Sequence, residues 1–395
     1  MKTLLCAVTA VLFAVNVAAS PDSASLIRGN TTFAVELYRL QAGSSRGNVF
    51  FSPYSISAAM ALTDAGARGT TASEIEKALH FPFTGARLTA AWKAVQDDIG
   101  RKRPDVTLMT ANALWAAKGV ELHPEYLAFA RRDFGAKLET VDFARPEPAR
   151  QRINAWISEA TRQKIPELIG SGMLAPSTRL VLTNAIYMKA KWLSEFPPRG
   201  TNPNGRFHTP AGERKAAMMS TQDDFNYARS GSVRILELPY LGSELSMLVV
   251  LPDAADGLSK LEKELTVEQL AQWEAELKPA LVAVTFPRFK TDLSIQLSQS
   301  LRAMGIHEAF SAKADFSGIA KEPLLISDVI HQARIDVAEE GTEAAAATAV
   351  IMRATAAPPM KQPKPEIFNA DHPFLYLIRR TDTKSVLFIG RLVQP

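Results

Sequence analysis

Two nearly unbroken apolar runs stand near the C-terminus, FLYLIRR at 374–380 and SVLFIGRLV at 385–393, with only Thr381-Asp382-Thr383-Lys384 between them. Arms apolar on both faces predict a hairpin buried on both sides, inside a sheet rather than at a surface. The stretch before them, residues 356–366, is rich in proline and resembles a linker. Only about 30 residues follow it, too few for an independent core. The hairpin must therefore pair back into a body built by earlier residues. Residues from about 341 to 366 then become a long excursion within one domain. Such loops are uncommon in compact domains, and are usually functional or disordered. The well-specified strand before and hairpin after favour function.

The excursion opens with GTEAAAATAV at 341–350. Four alanines suggest helix. Yet β-branched Thr348 and Val350 follow them, and APPMKQPKP comes next. The segment fits neither a helix nor a sheet interior in any simple way.

Earlier residues favour helices first and strands later. Ser52-Pro53 suits a helix start, with serine as cap and proline at the first helical position. Ile56, Ala59, Met60 and Thr63 share one face, and Gly66 is a stop. Thr71 and Glu74 have capping-box spacing. Further amphipathic helices are predicted over 88–99, 124–134 and 148–162. Strands rich in branched and aromatic residues are predicted over 179–192, 233–240, 245–251, 281–289 and 324–337. This order, without regular alternation, predicts an α+β fold.

At the N-terminus Lys2 precedes LLCAVTAVLFAV, and Val17-Ala18-Ala19 supplies small residues. That pattern predicts a signal peptide over 1–19 and a mature domain over 20–395. The apolar run is too short for a membrane anchor. The expected location is extracellular, or periplasmic in a bacterium. Cys6, the one cysteine, falls inside this segment. The exported chain would have no disulfide and would rely on its core. With 45 basic and 41 acidic residues the net charge is +4, and no long basic run appears, which argues against nucleic-acid binding. Arg101-Lys102-Arg103 reads as a solvated helix end or loop.

Enzyme motifs find little support. Gly43-Ser44-Ser45-Arg46-Gly47 matches G-x-S-x-G, but that elbow needs a strand before and a helix after. Here a helical pattern precedes and NVFF follows, so Ser45 reads as part of a surface turn. His80, His123, His208, His307, His331 and His372 form no close ligand pair, and no phosphate-binding glycine motif is present. No metal and no cofactor are expected. His331, in LLISDVIHQARIDVA, reads as a hydrogen-bonded core histidine. Asn30-Thr31-Thr32 is a glycosylation sequon.

Five segments, in order, carry a resemblance: NVFFSPYSISAAMAL at 48–62, LTNAIYMKAKW at 182–192, ADFSGI at 314–319, DVIHQARIDVAEEGTEAAAATA at 328–349 and FNADHPFLYLI at 368–378. The chain resembles the serpins, serine-protease inhibitors that trap their targets. Ala190 is a departure, where many members carry glycine. The resemblance implies a single domain of about nine helices and three β-sheets, with an exposed reactive-centre loop at about 341–366. It implies a monomeric suicide inhibitor that forms a covalent 1:1 complex with a serine protease. A non-inhibitory carrier or binding protein is the alternative.

The resemblance also assigns positions. The hinge comprises Glu339, Glu340, Gly341, Thr342, Glu343, Ala344, Ala345, Ala346, Ala347 and Thr348. Counting on from Gly341 by the family's spacing puts the attacked bond at Thr355-Ala356, with Arg353 as the competing position. The small β-branched Thr355 suits an elastase-like protease, whereas Arg353 suits a trypsin-like one. Ser52, Ser55, Asn184 and His331 match the family's shutter; Trp192, Arg288 and Glu339 match its breach, with an Arg288–Glu339 ion pair expected. The residues themselves suit insertion of the loop as a middle strand. Side chains alternate faces along a strand. The set Thr342, Ala344, Ala346, Thr348, Val350 and Met352 contains no charge, proline or large aromatic, and Glu343 falls on the other face. A polyanion activator has thin support, since Lys93 is the only cation over 88–99.

Overall fold

A computed structural model of the protein describes residues 20–342 and 364–395. The signal peptide expected over 1–19 lies outside them. The C-terminal hairpin forms as Phe374–Arg380 and Val386–Leu392, antiparallel, with every residue of both arms buried. It sits inside a nine-stranded assembly, flanked by Val49–Phe51 on one side and Leu245–Pro252 on the other. Three arginines in this hairpin are buried, and each is held by carboxylates. Arg379 meets Glu237 and Glu274, Arg380 meets Glu244 and Asp382, and Arg391 meets Glu262. A guanidinium withdrawn from water needs such pairing.

The nine-stranded assembly is two sheets that share one strand. Gly212–Ser230 pairs with Lys278–Pro287 along residues 218–227, and with Val233–Pro239 along 226–230. The third sheet has six strands, in the order Phe289–Gln296, Ile326–Ala338, Gly341–Thr342, Leu180–Lys191, Val106–Ala117, Lys137–Val141. At its centre Ile326–Ala338 and Leu180–Lys191 run parallel. Nine α-helices surround these sheets among the described residues, an α+β arrangement.

The helix Pro53–Gly66 packs on Leu180–Lys191 on one side and on Val386–Leu392 on the other. That position between sheets explains its burial almost all round, where the sequence suggested one apolar face. Ser52 caps it as expected, accepting a hydrogen bond from the Ser55 N–H at 3.1 Å. The next helix, Gly69–Ala78, differs: its cap position is Arg68, and no side chain caps it. The Thr71 hydroxyl instead accepts from the Asp315 N–H, and Glu74 accepts from the His307 and Glu308 N–H groups. Tertiary partners took both groups that local spacing had offered to a capping box.

The predicted strand over 281–289 is two strands, broken at Arg288. Pro287 has no N–H for a ladder. There the chain leaves one sheet and enters the next. Arg103 is not solvated, as its run suggested. Its guanidinium holds Glu244 at 2.6 Å and the carbonyls of Asp98 and Ile99.

Candidate functional site

Beneath the centre of the six-stranded sheet lies a buried polar network. The Ser52 N–H donates to Nε2 of His331 at 3.0 Å. Nε2 therefore carries no proton, and Nδ1 donates to Oδ1 of Asn184. The Asn184 amide nitrogen donates to the Ser55 carbonyl at 3.0 Å, to the Ser55 hydroxyl at 2.6 Å and to Oδ1 of Asn112. The Ser52 hydroxyl donates to the Leu387 carbonyl at 2.6 Å. One network thus ties three strands of this sheet to the helix behind it and to the C-terminal hairpin. His331 and Asn184 stand directly opposite each other on the two parallel central strands.

Burial pushes the His331 imidazole down to about 3, so it is neutral at neutral pH. An unfolded histidine takes up a proton below about 6.5. The depressed value contributes stability above pH 6.5, and this contribution fades as pH falls toward 3, by up to about 1.4 kcal/mol per unit. Urea midpoints measured from pH 6.5 to 5 are expected to fall more steeply for the native chain than for His331→Gln. Parallel slopes would overturn this.

At the upper end of the same strands the chain turns back on itself. Gly341 pairs with Ala338 on one side and Lys191 on the other, and Thr342 pairs with Val337 and Ala190. Gly341 has φ +151°, and a Cβ there would lie 2.1 Å from the Ala190 carbonyl oxygen. Only glycine fits that approach. Thr342 is fully buried, with its hydroxyl 2.8 Å from that of Tyr240. Below this two-residue wedge the strands close on each other. Arg334 pairs directly with Tyr187, and the parallel ladder continues through His331–Asn184 to Ile326–Leu180. Stepping down from Val337 and Ala190 reaches Arg334 and Tyr187 with no slip of register. The wedge parts the strands without shifting them.

The wedge is braced from one side. Trp192 stacks on Tyr240, with ring centroids 4.6 Å apart, and its indole N–H donates to the Ala338 carbonyl at 3.0 Å. Glu339 is nearly buried and ion-paired with Arg288, while the Thr201 hydroxyl donates to it at 2.8 Å. Burial pushes the Glu339 carboxyl up, but hydrogen bonds from Arg288 and Thr201 outweigh it and hold the group below its usual range. The N–H groups of Phe196 and Trp192 donate to the carbonyls of Glu339 and Glu340, both at 2.9 Å.

From residue 28 to residue 395 the sequence matches the family model for serpins, the serine protease inhibitors. The chain belongs to the serpin family. This serpin is 42% identical over 382 residues to the leukocyte elastase inhibitor of Bos taurus, covering 94% of this chain and 99% of the relative. Serpin48 of the insect Tenebrio molitor has a similar structure, with a TM-score of 0.84 and 32% identity over 95% of this chain and 98% of that one. Human thyroxine-binding globulin, solved in complex with thyroxine, has a TM-score of 0.87 and 27% identity over 95% and 99% of the two chains. The family and the elastase-inhibitor relative support protease inhibition.

In this serpin the described structure brings Ser52, Ser55, Asn184 and His331 into one network, and Trp192, Arg288, Glu339, Glu340, Gly341 and Thr342 into the other. Glu343, Ala344, Ala345, Ala346, Ala347, Thr348, Arg353, Thr355 and Ala356 lie outside the described residues. Sequence reasoning missed Asn112, Phe196, Thr201 and Tyr240. Each sits in a stretch whose pattern says only strand or loop. Ser45 ends the helix Pro21–Ser44 and precedes the strand Val49–Phe51, the reverse of a nucleophile elbow. Asn30 lies inside that same helix and is only 4% exposed, so its sequon is closed in the folded chain. Among the described residues no three His, Cys, Asp or Glu side chains converge as a metal site.

Proposed function

We propose that the protein is an exported suicide inhibitor of serine endopeptidases, with an elastase-like target and Thr355-Ala356 as the attacked bond. The observation that carries this reading is the wedge of Gly341 and Thr342, seated in register between the two parallel strands. Continuing its pairing would set Ala344 beside Ile335, Ala346 beside Ala333 and Thr348 level with His331 and Asn184. Met352 would reach the ends of both strands. Thr342 is buried on the same face as Val337, Ile335, Ala333 and His331. The small, uncharged alternate set would follow it onto that face.

Insertion replaces one direct ladder with two. The net gain of about ten hydrogen bonds, at about 1 kcal/mol each, is on the order of 10 kcal/mol. That rivals the whole stability of an ordinary domain, so the uncut form is metastable and cleavage releases the difference. Residues 342–355 extend to about 46 Å as a strand. A protease acylated at Thr355 would be carried to the opposite pole before its ester hydrolyses. Deforming its oxyanion hole removes several kcal/mol of transition-state stabilisation, and deacylation stalls. The signal-peptide pattern at 1–19 supports export, to the extracellular space or a periplasm.

Mixing the protein with elastase-, trypsin-, chymotrypsin- and subtilisin-like enzymes is expected to give a covalent 1:1 complex that survives SDS, with elastase foremost. Sequencing the released C-terminal peptide should give Ala356 first. A cut after Arg353 would move the site and favour a trypsin-like target. Clean cleavage without complex across the whole panel would favour the carrier reading.

A further inference from the structure

Away from the sheet opening lies an open cavity of about 1070 Å³, just above the range of about 300–1,000 Å³ common for small-molecule sites. Its walls come from the C-terminal half of the helix Pro21–Ser44, the end of the strand Asn202–Thr209, the helix Leu258–Glu264 and the turn before it, the turn after Ser298–Ala303 and the end of the C-terminal hairpin. None of its lining residues belongs to the two networks above. Leu40, Leu258, Met304, Pro373 and Val393 supply an apolar lining. Leu40 is one of the few large hydrophobic residues left exposed, at 37%.

The floor is polar but already satisfied. Arg391 grips both oxygens of Glu262 at 2.9 Å and donates to the Ser45 and Gly47 carbonyls. The Tyr38 hydroxyl donates to Glu262 at 2.7 Å. The floor is therefore a neutral, rigid plug, with no charge left over for a ligand. The rim is different. Arg39, Arg46 and Lys263 are exposed, and the described structure gives none of them an ion-pair partner. Two acids share the lip, Glu36, which is hydrogen-bonded to His80 at 2.8 Å, and Asp256, so the three cations keep an excess of one positive charge.

We propose that this cavity binds an amphipathic carboxylate, with its apolar body against Leu40, Met304 and Val393 and its acid group at Arg39 and Arg46. An apolar wall favours a ligand that sheds water. Guanidinium groups at the lip give a carboxylate two forked donors. A cationic amphiphile of the same size meets the same wall but the wrong rim. The site is independent of cleavage and would work in the uncut inhibitor.

The test uses the full chain and a fluorescent fatty acid, 11-(dansylamino)undecanoic acid, below its aggregation concentration. Saturable binding is expected, displaced by laurate and not by dodecylammonium. Arg39→Glu with Arg46→Glu should weaken it about tenfold or more while leaving the urea midpoint and protease inhibition unchanged. Leu40→Asp, at an exposed wall position, should weaken it too. Absence of saturable binding overturns the proposal. So does equal displacement by the ammonium compound, or an affinity that survives all three substitutions.

Discussion

Thr348→Arg is expected to turn the inhibitor into a substrate: the loop is still cut, but the SDS-stable complex disappears. The register of the wedge gives the reason. Carried downward from Thr342 into an inserted strand, it would bring residue 348 level with His331 and Asn184, on the face where His331 is fully buried. A guanidinium placed there would lack a carboxylate, and an unpaired buried charge costs several kcal/mol. Insertion would slow while hydrolysis of the acyl-enzyme would not. Since about 1.4 kcal/mol is a tenfold change in rate, the inhibitor consumed per protease inactivated should rise about tenfold or more. Glu343→Lys is the control. Residue 343 would come beside Asp336 and Lys189, which are only partly buried, so inhibition should persist. Equal inhibition by both variants would remove the assigned register.

Asn184→Ala is expected to cause the largest loss of stability. The side chain satisfies His331, Ser55 and Asn112 at once, all of them buried. Removing it strands several polar groups away from water, at about 1–3 kcal/mol each, so a loss of roughly 3–5 kcal/mol follows. The same contact joins the two parallel strands that would part if the loop inserts as proposed. The variant should therefore lose inhibitory activity on warm incubation faster than the native chain, as the uncut loop enters the sheet or a neighbouring molecule. Urea midpoints and native gels report the two effects separately. An unchanged midpoint would show that the network contributes little.

Much of this was legible in the sequence because local chemistry and tertiary demand agreed. The apolar arms at 374–380 and 385–393 could only be sheet interior. Ser52-Pro53 could only start a helix. Ser52, Ser55, Asn184 and His331 were picked out by resemblance, but their geometry was not legible. Which histidine nitrogen carries the proton depends on the Ser52 N–H, contributed by a segment far away in the chain. Local reasoning failed where a remote partner captured a side chain. Thr71 and Glu74 have the spacing of a capping box and serve Asp315, His307 and Glu308 instead. Arg103 looked like a surface charge because its partner, Glu244, lies in another turn. Arg379, Arg380 and Arg391 show the converse, since an apolar strand pattern hid three buried arginines and the carboxylates that hold them.

The C-terminal hairpin also dictates a timetable. Ribosomes add residues in order, at about 5–20 per second, and structure forms as segments emerge. Phe374–Arg380 and Val386–Leu392 are made after every other described strand, yet they fill the gap between Val49–Phe51 and Leu245–Pro252. Until they emerge, Val49–Phe51 has no sheet partner and Leu245–Pro252 keeps an open edge. Such edges invite pairing with other chains. The nascent protein thus spends its most vulnerable interval nearly complete, with its loop region already translated. A ribosome stalled just before residue 374 should hold a chain that chaperones bind and proteases cut readily.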